Sequence, residues 1–382
     1  MRFLLHTFLI AAFLAVLTGV QRIAAQDHVS DNWFPVYVNG KAGYIDRTGK
    51  IVIEPQFDGA SYFSEGLARV SVGRDTIITQ GFSQGFIDES GKVVIRPEWD
   101  VAAHFSEGLA AVGYDQTKQK IKIGNNTFYT SASHTWYRWG FINKKGEMVI
   151  EPKFSEVSEF RNGIAAAEIS IMSEWKMGFI NTKGEWVIPP NFDDTNQFSE
   201  GLARVFVNGK YGYIDRAGKI VIKPKFSWAR DFSEGLACVK LGGDVVKPTG
   251  MSITRHNANY GFIDQTGKVI FKVGRGGCES FSNGIARVAV GPGHRAIDKT
   301  GKFLFDPSID IWSDFSDGLA EVYLAGNEIG FIDEKGSLVI RQKFGSAQDF
   351  YRGLSEVCES YDVGAKCGYI DKTGKVIWQP TK

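Results

Sequence analysis

Short apolar runs alternate with glycine-centred polar breaks along nearly the whole chain, and they do so with a period. A core of Gly, an aromatic residue, Ile and Asp or Asn stands at Gly43–Asp46, Gly85–Asp88, Gly140–Asn143, Gly178–Asn181, Gly212–Asp215, Gly261–Asp264, Gly330–Asp333 and Gly368–Asp371. A degenerate ninth copy, Arg295–Asp298, fills the remaining gap. Between the cores runs a second motif, Phe-x-x-Gly-Leu/Ile, headed by Phe63, Phe105, Phe160, Phe198, Phe232, Phe281, Phe315 and Phe350. From each core to the next of these Phe residues the distance is always 20, whereas from that Phe to the following core it ranges from 14 to 35. All length variation therefore falls in one connection.

The pattern predicts three strands per unit. Strand A follows the Gly-Leu, as in Leu202 to Val207, and reverses at Asn208-Gly209, the strongest short hairpin signal. Strand B is Tyr211 to Asp215, and strand C is Ile220 to Ile222, leading to Pro224, a residue that cannot donate to a ladder and so ends pairing. Strand C is apolar at successive positions, which predicts sheets covered on both sides. The B–C turn reads Asp/Asn-x-x-Gly throughout. An Asx turn closed by a positive-φ Gly accounts for it, and Asn143 and Asn181 replace Asp in a way a calcium loop resists. The eight Phe residues are expected in the core.

Nine such three-stranded antiparallel repeats predict an all-β fold, as an open curved β-repeat array or alternatively as a closed β-propeller-like ring. The expected units are 33–62, 63–104, 105–159, 160–197, 198–231, 232–280, 281–314, 315–349 and 350–382, in a single domain. The open array is the first reading. Propellers commonly carry 4–8 blades and close through a split blade, and no split unit is visible here.

The two ends and the cysteines change the picture further. Arg2, the apolar run Phe3–Val20 and the small residues Ala24 and Ala25 lay out a secretory signal peptide over 1–25, with an uncleaved anchor as the alternative, followed by a short linker over 26–32. Export permits disulfides. Cys358 and Cys367 flank a hairpin turn and are the candidate pair, while Cys238 and Cys278 read as buried thiols. With 44 basic and 43 acidic residues the chain shows no polyelectrolyte character, so no nucleic-acid partner is implied. No second segment is apolar enough to span a membrane once the signal is removed.

Trp139-Gly140 followed by Phe-Ile-Asn, together with the Gly-Lys, Ile-x-Pro-x-Phe and Phe-Ser-Glu-Gly-Leu-Ala elements, resembles the WG-repeat family of bacterial proteins. The resemblance runs from Trp33 almost to the C-terminus, although most copies carry another residue in place of the Trp. It implies a β-rich repeat array, often exported or in the cell envelope, without general enzymatic activity and without a common ligand.

Chemistry is sparse. Neither paired His spacing nor a nucleophile, phosphate-loop or dinucleotide motif is present, so no catalytic, metal or cofactor residue is assigned and the chain reads as a non-enzyme. The insertions in the A–B connection are expected to emerge on one edge and to form the binding face. The richest carries Phe128, Tyr129, Trp136, Tyr137, Arg138 and Trp139, suited to a protein partner or to a cell-envelope glycan. The expected protein is thus an exported scaffold, in the periplasm, at the cell surface or outside the cell. A carbohydrate- or peptidoglycan-binding module is the alternative, and a hydrolase using carboxylates of the insertions is a third reading.

Overall fold

The computed structural model describes residues 32–73, 82–115, 119–123, 126–130, 137–171, 174–242, 259–291, 293–306, 309–324, 328–342, 344–360 and 365–381. The expected signal peptide and nearly all of the linker lie outside them. Among the described residues there is no α-helix, and none long and apolar enough to cross a membrane.

Each copy of the motif forms one small antiparallel sheet, and these sheets follow one another in chain order. Most hold four strands rather than the expected three. In the fifth sheet a two-residue lead strand, Asp194–Thr195, which lies before the expected unit boundary at 198, precedes strand A (Leu202–Val207), strand B (Lys210–Asp215) and strand C (Ile220–Phe226) in a simple meander. The lead strand forms because Phe-Ser-Glu-Gly-Leu is itself a two-residue hairpin. Glu200 and Gly201 both take positive φ, and Ser199 and Leu202 exchange backbone hydrogen bonds of 2.9 and 3.0 Å.

Strand C does not stop at its proline. It runs on to Phe226, with a register shift between Tyr211↔Phe226 and Tyr213↔Ile222 that marks a bulge. The bulge explains the constant glycine of strand B. A Cβ on Gly212 would stand 2.6 Å from the Ile222 carbonyl oxygen and 2.7 Å from the Pro224 nitrogen. Where that Gly becomes Arg295, the sheet is reduced to Ala286–Val290 and Gly293–Ile297, and strand C survives only as the bridge Ile297↔Phe303. Strand C is also less covered than its sequence suggests. Ile220 and Val221 are 49% and 42% exposed while Ile222 and Phe226 are buried, because C is the edge of each sheet and these two side chains are the ones that reach a neighbour.

The sheets pack face to face. Each hydrophobic cluster joins two successive units, as Tyr213, Ile222 and Phe226 of the fifth meet Phe232, Ala237 and Val239 of the sixth. The eight Phe residues are all buried, as expected. A final cluster joins Phe34, Val36 and Ile45 of the first sheet to Leu354 and Tyr369 of the last, and the Tyr369 hydroxyl donates to the Pro35 carbonyl at 2.9 Å. The array is therefore closed into a propeller-like ring, and the open form is not what the chain adopts. An open array would leave two apolar faces in water. Closure here comes from side-chain packing between complete units, so the lack of a split unit in the sequence was not diagnostic.

Candidate functional site

The meander gives the ring two unlike faces. On one lie the Glu-Gly hairpins and the Asp-x-x-Gly turns; on the other lie the A–B tips and the links from strand C to the next lead strand. The first face is a repeated hydrogen-bond system. Ser199 Oγ donates to the Phe232 carbonyl at 2.6 Å, and the Gly235 N–H donates to Glu200 Oε2 at 2.9 Å, so this hairpin holds the next. The same pair of bonds recurs from Ser233 and Glu234 to Phe281 and Gly284. Turn cations complete it, with Lys299 Nζ 2.8 Å from Glu234 Oε2. In the turns, Asp46 Oδ1 accepts the Thr48 and Lys50 N–H groups, an Asx turn that holds its carboxyl below the usual range, chiefly through the Thr48 hydroxyl. Asn143 and Asn181 accept the equivalent bonds. These carboxylates are structural.

The candidate residues of the long insertion fall on different elements of the chain. Gln119–Ile123 and Asn126–Thr130 pair as a separate hairpin, which places Phe128 and Tyr129 on its second strand. Trp136 lies outside the described residues. Tyr137, Arg138 and Trp139 sit in strand B of the third unit. Arg138 Nη1 contacts the Lys153 carbonyl and Ser155 Oγ at 3.4 Å, and Trp139 packs partly buried against the cluster containing Phe154 and Phe160. Trp139 is thus part of the framework.

A different site was not legible in advance. Between the sixth and seventh sheets, on the tip face, a half-open cavity of about 250 Å³ is lined by Trp228, Arg230, Tyr260, Gly276, Gly277, Cys278, Glu279, Arg287, Ala289 and His294. Its origin is local. Trp228 stands four residues before its corner Phe, and the matching residue of the next unit is Gly277, which contributes no side chain. Gly276 lies so close to strand A that a Cβ would stand 2.2 Å from the Ala289 carbonyl oxygen. The backbone hugs its own sheet and leaves space in front of the Trp228 ring, which meets Tyr260 edge-on at 5.6 Å.

The charges around the cavity are compensated. Arg230 forms an ion pair with Glu279 and lies 5.2 Å over Trp228. Arg287 pairs with Asp314 at 2.8 Å and donates to the Trp312 carbonyl. His294 Nδ1 is buried without a hydrogen-bond partner among the described residues, 3.9 Å from Asp310 Oδ1.

The wall is cross-linked by Cys238–Cys278, which corrects the reading of these two as thiols; Cys358–Cys367 is bonded as expected. Cys238 occupies the strand A position from which Arg69 and Arg204 reach the next unit, bonding the carbonyls of Ala102 and Ala229 at 2.7 and 2.6 Å. Side chains at this position point at the neighbouring lead strand. A Cys there, opposite a Cys on that strand, meets its partner with Cα atoms 5.9 Å apart. The sequence signal was the cysteine's place in the repeat, together with Val273-Gly274-Arg275 replacing the usual Pro-x-Phe and Gly276-Gly277 following it. Among the described residues, no group of three or more His, Cys, Asp or Glu is placed to hold a metal ion.

No curated protein matches the chain in sequence. Solved structures align along most of it. Tricorn protease aligns at 12% identity over 90% of this chain and 43% of that one, with a TM-score of 0.23. A eukaryotic initiation factor aligns at 9% identity over 91% and 84%, with a TM-score of 0.44. BamB from Moraxella catarrhalis aligns at 9% identity over 92% and 94%, with a TM-score of 0.37. The chain spans less than half of the tricorn protease chain, and likenesses this low carry no argument about function. The sequence family is another matter. The WG containing repeat matches residues 43–74, 85–116, 139–170, 177–211, 211–243, 260–291 and 329–360, more than half of the chain, and these matches hold the bulge-facing glycines and Glu-Gly hairpins described above: the chain belongs to the WG-repeat family.

Proposed function

We propose that the protein is an exported, non-enzymatic scaffold of the cell envelope that holds a protein partner on the face formed by the A–B tips. One observation carries the reading: every length difference between repeats lies in the connection that the meander delivers to that single face, while the opposite face is bonded unit to unit. A surface free to vary in length beside a framework that is not free to vary suits recognition. The insertion hairpin Gln119–Ile123 with Asn126–Thr130 pairs within itself, so it extends the surface without supporting the ring.

The test is deletion of Lys118–Ser133. The expected variant unfolds cooperatively with a stability within about 0.5 kcal/mol of the parent, as for a surface change away from the core. It no longer captures, from an envelope extract, the partner that the intact chain retains. Capture undiminished by the deletion would contradict the assignment, as would turnover of an envelope glycan or peptide by the purified chain.

A further inference from the structure

We propose that the cavity between the sixth and seventh sheets is a second binding site, built to take one ring of a neutral sugar. Pockets for drug-sized ligands run to about 300–1,000 Å³, so a half-open space of about 250 Å³ admits a single ring and leaves its substituents in water. Its apolar part has the right shape. Trp228 and Tyr260 meet at an interplanar angle of 74°, forming a corner in which the flat C–H face of a pyranose covers one ring while its edge touches the other.

The polar part selects among ligand classes. Sugar hydroxyls both donate and accept, and the cavity offers both kinds of partner: guanidinium N–H groups of Arg230 and Arg287, and carboxylate oxygens of Glu279. A phosphate or carboxylate would meet Glu279, and the two guanidiniums it needs are already neutralised by Glu279 and Asp314. A cationic ligand would meet Arg230 and Arg287. A purely apolar ligand would strip water from these polar side chains without replacing their hydrogen bonds. A neutral polyhydroxylated ring avoids all three costs.

The walls are fixed before binding. Cys278 is tied to Cys238 across the two sheets, Arg230 is held by stacking on Trp228 and by a 3.2 Å bond from Nε to the Cys278 carbonyl, and Gly276 is pinned against Ala289. Little ordering is left for the ligand to impose.

The experiment is saturation-transfer NMR with intrinsic tryptophan fluorescence on the full chain, using methyl β-glucopyranoside and N-acetylglucosamine, with inorganic phosphate and tetramethylammonium as charged probes. At least one neutral ring is expected to bind at millimolar concentration or below, with transfer strongest to its C–H face. Trp228→Ala and Glu279→Gln each weaken it at least about tenfold, the scale of a central contact, while Trp228→Phe retains it. Glu279→Gln removes only a partly exposed carboxylate, so its fold serves as the control should Trp228→Ala fail to fold. Deleting Lys118–Ser133 leaves sugar binding unchanged, which separates this site from the partner surface. Absence of binding by either sugar up to about 20 mM, weaker than any useful recognition, overturns the proposal. So does phosphate or tetramethylammonium binding as well as the sugars, or binding unaltered in both Trp228→Ala and Glu279→Gln.

Discussion

The two faces of the ring are made from the same repeats and behave as opposites. On the hairpin face, the hairpins headed by Ser64, Ser106, Ser199, Ser233 and Ser316 each donate to and accept from the next through Ser, Glu or Asp and Gly at fixed offsets, so that a change in spacing there would break two bonds at once. On the tip face neighbours share few backbone bonds, and one unit can lengthen its hairpin or lose a side chain without disturbing the rest. The cavity occurs on the second face, beside the unit that departs furthest from the pattern. There Arg295 replaces the glycine and Gly277 leaves a gap. Variation collects where it is mechanically cheap, and a ligand site needs variation.

The contrast can be broken most severely inside a sheet. Gly212→Ala forces a methyl group against the bulged backbone of strand C and is expected to cost about 3 kcal/mol in urea unfolding, reproducing in the fifth unit the loss of strand C seen naturally around Arg295. A cost below about 1 kcal/mol, the low end for overpacking, would mean that the bulge relaxes and that the constant glycine has another cause.

Next is the hairpin chain. Glu234→Ala removes the acceptor of the Gly284 N–H and of Lys299, with an expected loss of about 1–2 kcal/mol. Its carboxyl is held below the usual range, chiefly by Lys299. Its contribution is therefore present above the unfolded value near 4.5 and fades as pH falls through the lower folded value. The variant should lose that part of the acid dependence.

The smallest effect runs the other way. Glu321 occupies the strand A position at which Arg69, Arg204 and Arg287 donate to the next unit, and an ionised carboxylate cannot donate. Burial, with Asp349 adding to it, pushes its carboxyl up to about 7. The folded state then binds a proton that the unfolded state has released, so stability is highest below about 4.5 and declines as pH rises through 7. Glu321→Gln should gain on the order of 1 kcal/mol at pH 8, discounting for partial exposure, and nothing at pH 4. An equal gain at both pH values would show that the benefit is not one of ionisation.

How much could be read from the residues follows the same division. Asp46 to Gly49, Phe63 and the pairing of Cys358 with Cys367 were legible because each acts within a few residues or repeats at fixed offsets. Local chemistry leaves local patterns. The role of Glu65 and its counterparts as links to the next unit was only partly legible, since repetition announced structure but not the partner. Ring closure through Phe34 and Tyr369 was not legible, because it depends on small rotations accumulated over all the units. Strand C misled: Ile220 and Val221 are apolar as a buried strand would be, yet a sheet edge exposes them. The cavity was hidden because Trp228, Gly277 and His294 hold unremarkable places in separate repeats and meet only across the space between sheets.

The central claim is that the ring is closed and bonded on one face and free on the other, and hydrogen exchange at single-amide resolution tests it most directly. The account predicts strong and similar protection of the Gly108, Gly163, Gly235, Gly284 and Gly353 amides, each bonded to the preceding carboxylate. It predicts equal protection in the strands Phe34–Val38 and Cys367–Asp371 that meet at the closure, and rapid exchange at the Asn39-Gly40 and Asn208-Gly209 tips. Hairpin amides exchanging as fast as the tips, or end strands opening well before the middle units, would contradict it.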